Sequence, residues 1–261
     1  MADPTIAPYY GLFVTAGLPV QTVNAILSKA NDEYKMYSKL PDAEQLFGNC
    51  WALVETRDQI VFQKPTRGPL NAYKSEFLNA SIDEIGEFVE RHFGKTGAME
   101  SEPDDPNRYI AKEVFGILDS RTAEDETLLF VARESITAED EAQIRTKTSL
   151  SYLHHIDNVT QETRTDPILS PILRLNAQRS GSYAHPMTLS TEASLEDRDR
   201  LKAWYEGMIE DYKEVWAGIR LDSNYAFSSI GGILYRGVAD YLLFPEDDFD
   251  ETGVLKGGAP Y

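Results

Sequence analysis

The chain is expected to fold as an α+β protein, with a largely antiparallel sheet and packed helices. Three observations carry that expectation. Helix-like and strand-like hydrophobic patterns alternate without a regular βαβ rhythm, which argues against a wholly parallel sheet. Two paired apolar runs with polar connectors, at 46–65 and 114–133, have the form of β-hairpins. The 261 residues are 42% hydrophobic and 26% charged, enough to bury a sizeable core without metal or disulfide staples.

The elements follow in order. Tyr9 to Thr15 is aromatic and β-branched and reads as a strand. Over 19–37, Val23, Ile26, Leu27, Ala30, Tyr34 and Tyr37 recur at helical spacing, and Pro19 suits the first turn. In 46–65, two apolar runs flank Glu55-Thr-Arg-Asp58, a hairpin pattern. Ser81-Ile-Asp-Glu84 is a capping box, in which the serine oxygen takes a free backbone N–H and the glutamate reaches back. Ile82, Ile85, Val89 and Phe93 then share one helix face, and Gly94 is placed to stop it. Residues 95–108 are a polar connector, and 114–133 the second hairpin. Residues 144–160 read as one or two strands, and 166–176, with two prolines, as an extended piece or short helix. From Ser194 a long helix is expected, with Leu201, Trp204, Met208, Tyr212, Val215 and Ile219 in one stripe and Trp216 widening it. The following apolar and glycine-containing segment, 227–245, suits strands or close packing, and 246–261 reads as an acidic tail.

These elements make one domain over 1–245. An internal echo offers a second division. Phe47-Gly48 and Leu53–Arg57 match Phe115-Gly116 and Ile117–Arg121, with Glu55 to Asp119 and Arg57 to Arg121 at a common offset of 64 residues. A hairpin duplication would give halves 1–94 and 109–245 about the linker 95–108.

Charge and cysteine content exclude several functions. Net charge is −18, a surface that repels phosphate backbones and anionic lipid, so neither nucleic acid nor membrane is an expected partner. Residues 4–28 carry no charge, but Pro8, Pro19, Gln21 and Asn24 interrupt them, so no transmembrane span is expected. The one cysteine, Cys50, makes no internal disulfide and points to a reducing, cytoplasmic setting. No Walker A, GxGxxG after a strand, GxSxG or HExxH pattern occurs, and no cofactor is implied.

Few residues carry candidate chemistry. His154 and His155 are adjacent, with Asp157 two residues on. Strand alternation sends the two imidazoles to opposite faces, so they do not share an ion, whereas His155 and Asp157 share a face, as do Tyr152 and His154. A carboxylate beside histidine fixes its tautomer, as a general base requires. The bland alternative is a strand with one packed and one solvated histidine. Asp248-Phe-Asp250-Glu-Thr252-Gly253 matches half of an EF-hand loop, but Ala259 stands where the bidentate glutamate belongs, so no metal site is expected.

Two resemblances arise. Gly48-Asn-Cys50-Trp-Ala52 resembles the cysteine region of papain-like proteases, with His185 downstream. That resemblance implies a cysteine hydrolase using Cys50. However, the residues after Cys50 read as strand rather than helix, and no Asn-Ser-Trp follows His185. The run FGILDSRTAEDETLLFVA with IRTKTSLSYLHHIDN is similar to a family of uncharacterised microbial and fungal proteins, over 109–175. That likeness implies no function. The expectation is an acidic, soluble protein binding a small molecule or protein partner. The alternative is a metal-independent isomerase or hydrolase using His154, His155 and Asp157.

Overall fold

The structure is a computed structural model that describes residues 9–37, 51–59, 66, 68–93, 110–147, 152–156, 212–224, 230, 233, 238–243 and 249–255. Its strands are β1 (Tyr9–Val14), β2 (Trp51–Val54), β3 (Ile110–Leu118), β4 (Thr127–Thr137), β5 (Tyr152–His155), β6 (Tyr212–Asp222) and β7 (Val254–Leu255). Its helices are α1 (Val20–Tyr37), α2 (Ile82–His92), α3 (Ser120–Asp125), α4 (Ala138–Lys147) and α5 (Val238–Leu243). Among the described residues, the strands form one seven-stranded sheet in the order β2-β1-β3-β4-β6-β5, with β7 also on β6. The α+β class expected from the sequence is thus observed.

The sheet is mixed, and its longest ladder is antiparallel. β4 and β6 pair from Thr127↔Asp222 to Thr137↔Tyr212, and β3–β4 and β5–β6 are also antiparallel. β1 instead runs parallel to both of its neighbours, β2 and β3, so the N-terminal part contains the crossover rhythm that the sequence did not announce.

The β4–β6 ladder corrects the clearest sequence expectation. Tyr212 to Ile219, read as the end of a long helix, is strand. Val215, Ala217, Ile219 and Leu221 point to one face and Trp216 to the other. A spacing of four residues satisfies a helical stripe and a strand face alike, and the extended partner β4 decides between them. Val215 is buried and Lys213 exposed; Ser194 to Met208 lie outside the described residues.

Helices cover both faces. On one, Val23, Ile26, Leu27 and Ala30 of α1 pack with Leu12, Val14, Phe130, Val215 and Ala217, joined by α5 and Ile144. On the other, Ile82, Ile85, Phe88 and Val89 of α2 pack with Phe13, Phe115, Leu129, Val131 and Trp216. Phe13 meets Phe77, Phe88 and Phe115 edge-on at 4.9, 5.9 and 5.8 Å between centroids, the geometry ring quadrupoles favour. α2 begins with the expected capping box. The Ser81 hydroxyl accepts from Glu84 N (3.2 Å), and the Glu84 carboxylate accepts from Ser81 N (2.8 Å). Its C-cap is Phe93 in an extended conformation; Gly94 is outside the described residues.

The remaining expectations divide. The second hairpin forms as β3 and β4, but with α3 built into its connector. In the first, β2 pairs with β1, a turn follows, and the chain comes back to Thr66, whose N–H donates to Trp51 O (2.8 Å); residues 60–65 lie outside the description. Duplication is not shown. Arg57 sits after β2 with its guanidinium 5.1 Å from the centre of the Phe77 ring, whereas Arg121 lies in helix α3. Residues 144–147, expected in strand, end helix α4, and 238–243 are helix α5. Within the stretch read as an acidic tail, 249–255 pack on the sheet, where Val254 and Leu255 are buried as β7.

Candidate functional site

The strand order reverses at β1. The chain leaves β1 through α1 on one face to reach β2, and leaves β2 through α2 on the opposite face to reach β3, on the other side of β1. Two connections departing in opposite directions leave a crevice beyond the carboxyl ends of the strands between them, and open α/β sheets place ligands there. Here the corresponding position lies beyond the ends of β1 and β3.

Backbone bonds join the two strand ends. Thr15 N donates to Leu118 O (2.9 Å), and the Thr15 hydroxyl reaches the same oxygen (3.4 Å). The loop before α2 folds over from the β2 side. The Ser75 hydroxyl donates to Val14 O (2.5 Å), and Asn79 N donates to Thr15 O (2.8 Å). Asn79 takes the left-handed conformation, φ 61°, which asparagine tolerates better than most residues. Gly17, in the link from β1 to α1, borders open space, with no atom within 4 Å of where a Cβ would stand. Leu78, half exposed, sits beside Asn79.

Charged side chains converge on the same end of the sheet, because β6 runs parallel to β1 and β3. Asp119 follows β3 and caps α3: Thr122 N donates to its Oδ1 (3.2 Å), and Asp119 N donates to the Thr122 hydroxyl (3.0 Å). The other carboxylate oxygen pairs with Arg220 of β6, whose side chain is 2% exposed. Lys29 of α1 pairs with Glu126 and donates to the Ser223 hydroxyl (3.2 Å). Glu126, at φ 57°, closes α3 in the left-handed region. Arg121 pairs with Asp125 at 2.6 Å, and Asp125 also accepts from the Thr127 hydroxyl (2.6 Å). Burial works to raise the Asp125 carboxyl, but the hydrogen bonds from Thr127 and Arg121 prevail and hold it below its ordinary value.

Another group of polar contacts on the sheet lies under α2. Arg133 of β4 contacts Glu90 of α2 (3.0 Å) and Glu214 of β6 (2.9 Å), and Ser135 also donates to Glu214. His154 Nδ1 lies 3.3 Å from Asp83 Oδ2 at the start of α2. Of the sequence candidates, His154 therefore has a carboxylate neighbour, Asp83, which the sequence reading did not name. His155 is placed by its backbone opposite Val215, and its side chain is not described. Cys50, Asp157 and His185 lie outside the described residues. The half EF-hand pattern is a local turn: Asp250 Oδ1 accepts from Thr252 N (2.8 Å), the Thr252 hydroxyl (2.8 Å) and Val254 N (3.0 Å).

Sequence reasoning missed Asp119 and Arg220 as a site. A signal existed for each. Asp119-Ser-Arg-Thr122 is a helix N-cap pattern, and Arg220 is a lone charge between Ile219 and Leu221. Nothing local joins them, since they stand 101 residues apart. Among the described residues, no helix is long and apolar enough to cross a membrane, and no group of three His, Cys, Asp or Glu is arranged to hold a metal ion. Comparison with protein-family models, curated proteins and solved structures finds no match to this chain.

Proposed function

We propose that the protein binds a small molecule at the position beyond the carboxyl ends of β1 and β3. The reversal of strand order at β1, with α1 and α2 leaving to opposite faces, carries this reading. The open space at Gly17 and the charged groups around α3 support it. The −18 charge favours a soluble protein that avoids nucleic acid and anionic lipid, and the single cysteine favours the cytoplasm. Amide NMR shifts in the presence of fragment cocktails of small polar and aromatic compounds test the reading. Hits are expected to move Thr15, Ala16, Gly17, Asn79 and Asp119 together. Binders that consistently move α2 and β5, and leave those residues still, would overturn it.

A second reading rests on the His154–Asp83 contact. A carboxylate on Nδ1 leaves Nε2 outward, as a general base in an isomerase or hydrolase requires. Nitrogen-15 shifts of His154 are then expected to report the Nδ1–H tautomer, and to lose that preference in Asp83→Asn. Turnover of p-nitrophenyl acetate that is unchanged in a folded His154→Gln variant would count against it.

A further inference from the structure

Beyond the ends of β3 and β6 the ion pairs share one orientation. The Arg220 side chain is 2% exposed and that of its partner Asp119 26%. Lys29 and Glu126 stand at 27% and 58%, and Arg121 and Asp125 at 25% and 32%. In each pair the cation lies deeper and the carboxylate nearer to water. That sense is not general on this protein. Lys74 is more exposed than Glu76 beyond β2, and Arg145 and Lys213 are more exposed than Glu141 at α4.

A pair oriented in this way is a dipole with its negative end outward. Three of them around the six residues of α3 make the surface there negative even where the charges balance. Glu124 of α3 and Asp222 at the end of β6 add further carboxylates. Asp119 is the member that adjoins the strand ends. It follows Leu118, whose carbonyl accepts from Thr15 N beyond β1. A carboxylate offers about four acceptor positions. The Thr122 N–H and hydroxyl take Oδ1, at 3.2 and 3.4 Å, and Arg220 pairs with Oδ2 from the buried side. Acceptor capacity remains on the side that water reaches. An anion arriving here meets the outward carboxylates first, and the cations behind them are already paired. An ammonium group meets an acceptor that is fixed in place. We infer that the molecule taken at this position is a small organic cation whose ammonium N–H donates to Asp119, and not a phosphate or a carboxylate. The inference rests on the reading that a small molecule binds beyond β1 and β3, and it names the chemical class.

Three probes with a common phenylethyl body separate the head groups: phenethylamine, 2-phenylethanol and 3-phenylpropionate. Each is titrated into the full-length chain at low salt and read at the amides of Thr15, Ala16, Gly17, Asn79 and Asp119. Phenethylamine is expected to bind about tenfold more tightly than 2-phenylethanol, the effect of one charge-assisted hydrogen bond, and 3-phenylpropionate more weakly than either. Asp119→Asn is expected to bring the amine to the affinity of the alcohol. If that chain fails to fold, ionic strength serves in the parent. Between about 0.01 and 1 M salt the Debye length falls from roughly 30 to 3 Å, and the advantage of the amine over the alcohol should shrink with it. An advantage that survives in folded Asp119→Asn, or that salt leaves intact, or a propionate that binds as tightly as the amine, would overturn the ligand class and leave the site standing. Probes that leave those five amides still, whatever else they move, would remove the site itself, and the class with it.

Discussion

Gly86 offers a test in which two known effects oppose each other. It lies inside α2, where replacing glycine by alanine ordinarily stabilises a helix by about 1 kcal/mol. Here a Cβ would stand 2.6 Å from Cε2 of Trp216 and closer still to Nε1, well inside van der Waals contact. Trp216 has little room to withdraw. It is 2% exposed, its ring meets Phe115 edge-on at 5.1 Å, and its backbone is laddered to Arg133 on one side and His154 on the other. Overpacking of this kind costs roughly 2 to 3 kcal/mol when neither backbone yields. The steric term therefore wins, and Gly86→Ala should be less stable than the parent by about 1 to 2 kcal/mol, taking the difference of those terms. Urea unfolding followed by far-UV circular dichroism measures it. Trp216→Phe removes the clashing atoms at its own cost, so the double variant should be more stable than the sum of the single changes predicts, by about 1 kcal/mol of coupling. Glu87→Ala, on the exposed face of the same helix, should change stability by less than about 0.5 kcal/mol. A Gly86→Ala protein that outlasts its parent in urea would show that α2 does not approach the sheet this closely.

Three further expectations concern stability. Ser81→Ala removes one half of the capping box and should cost about 1 kcal/mol, seen in the urea midpoint; an unchanged midpoint would mean that water replaces the cap without loss. Asp119→Asn takes one carboxylate away from the buried Arg220 guanidinium and should cost about 2 to 3 kcal/mol, with Thr122→Val milder because the ion pair survives; the reverse ranking in thermal melts would show that the cap matters more than the charge. For Asp125 the sign follows from its depressed carboxyl. A folded-state pKa below the unfolded one adds stability above about pH 4, the unfolded aspartate value, and that stability disappears as pH falls through the folded value. The stability gap between the parent and Asp125→Asn should therefore be widest near neutrality and close in acid, and a gap that widens on acidification would refute the assignment.

What the sequence determined by itself was local. The capping box at Ser81 and the α2 face of Ile82, Ile85, Val89 and Phe93 depend only on near neighbours, and both form as read. The same holds for β1 and α1, whose period and turn residues lie within a few positions of one another. Tertiary structure decided everything that needs a distant partner. Val215 and Ile219 fit a helix face as well as a strand face, and pairing with β4, some 80 residues earlier, and with β5 makes this segment strand. α3 is six residues long, too short to show a period, and is held by Arg121–Thr252 across 131 residues. Two apolar residues after an acidic stretch read as tail until β6 supplies an edge for them to pair with. For the candidate site the division is the same. His154 was legible as a residue type, but Asp83, 71 positions away, was not legible as its neighbour. Nor was the reversal of strand order at β1, because strand order is a property of long-range pairing, and no local propensity encodes which two strands will lie side by side.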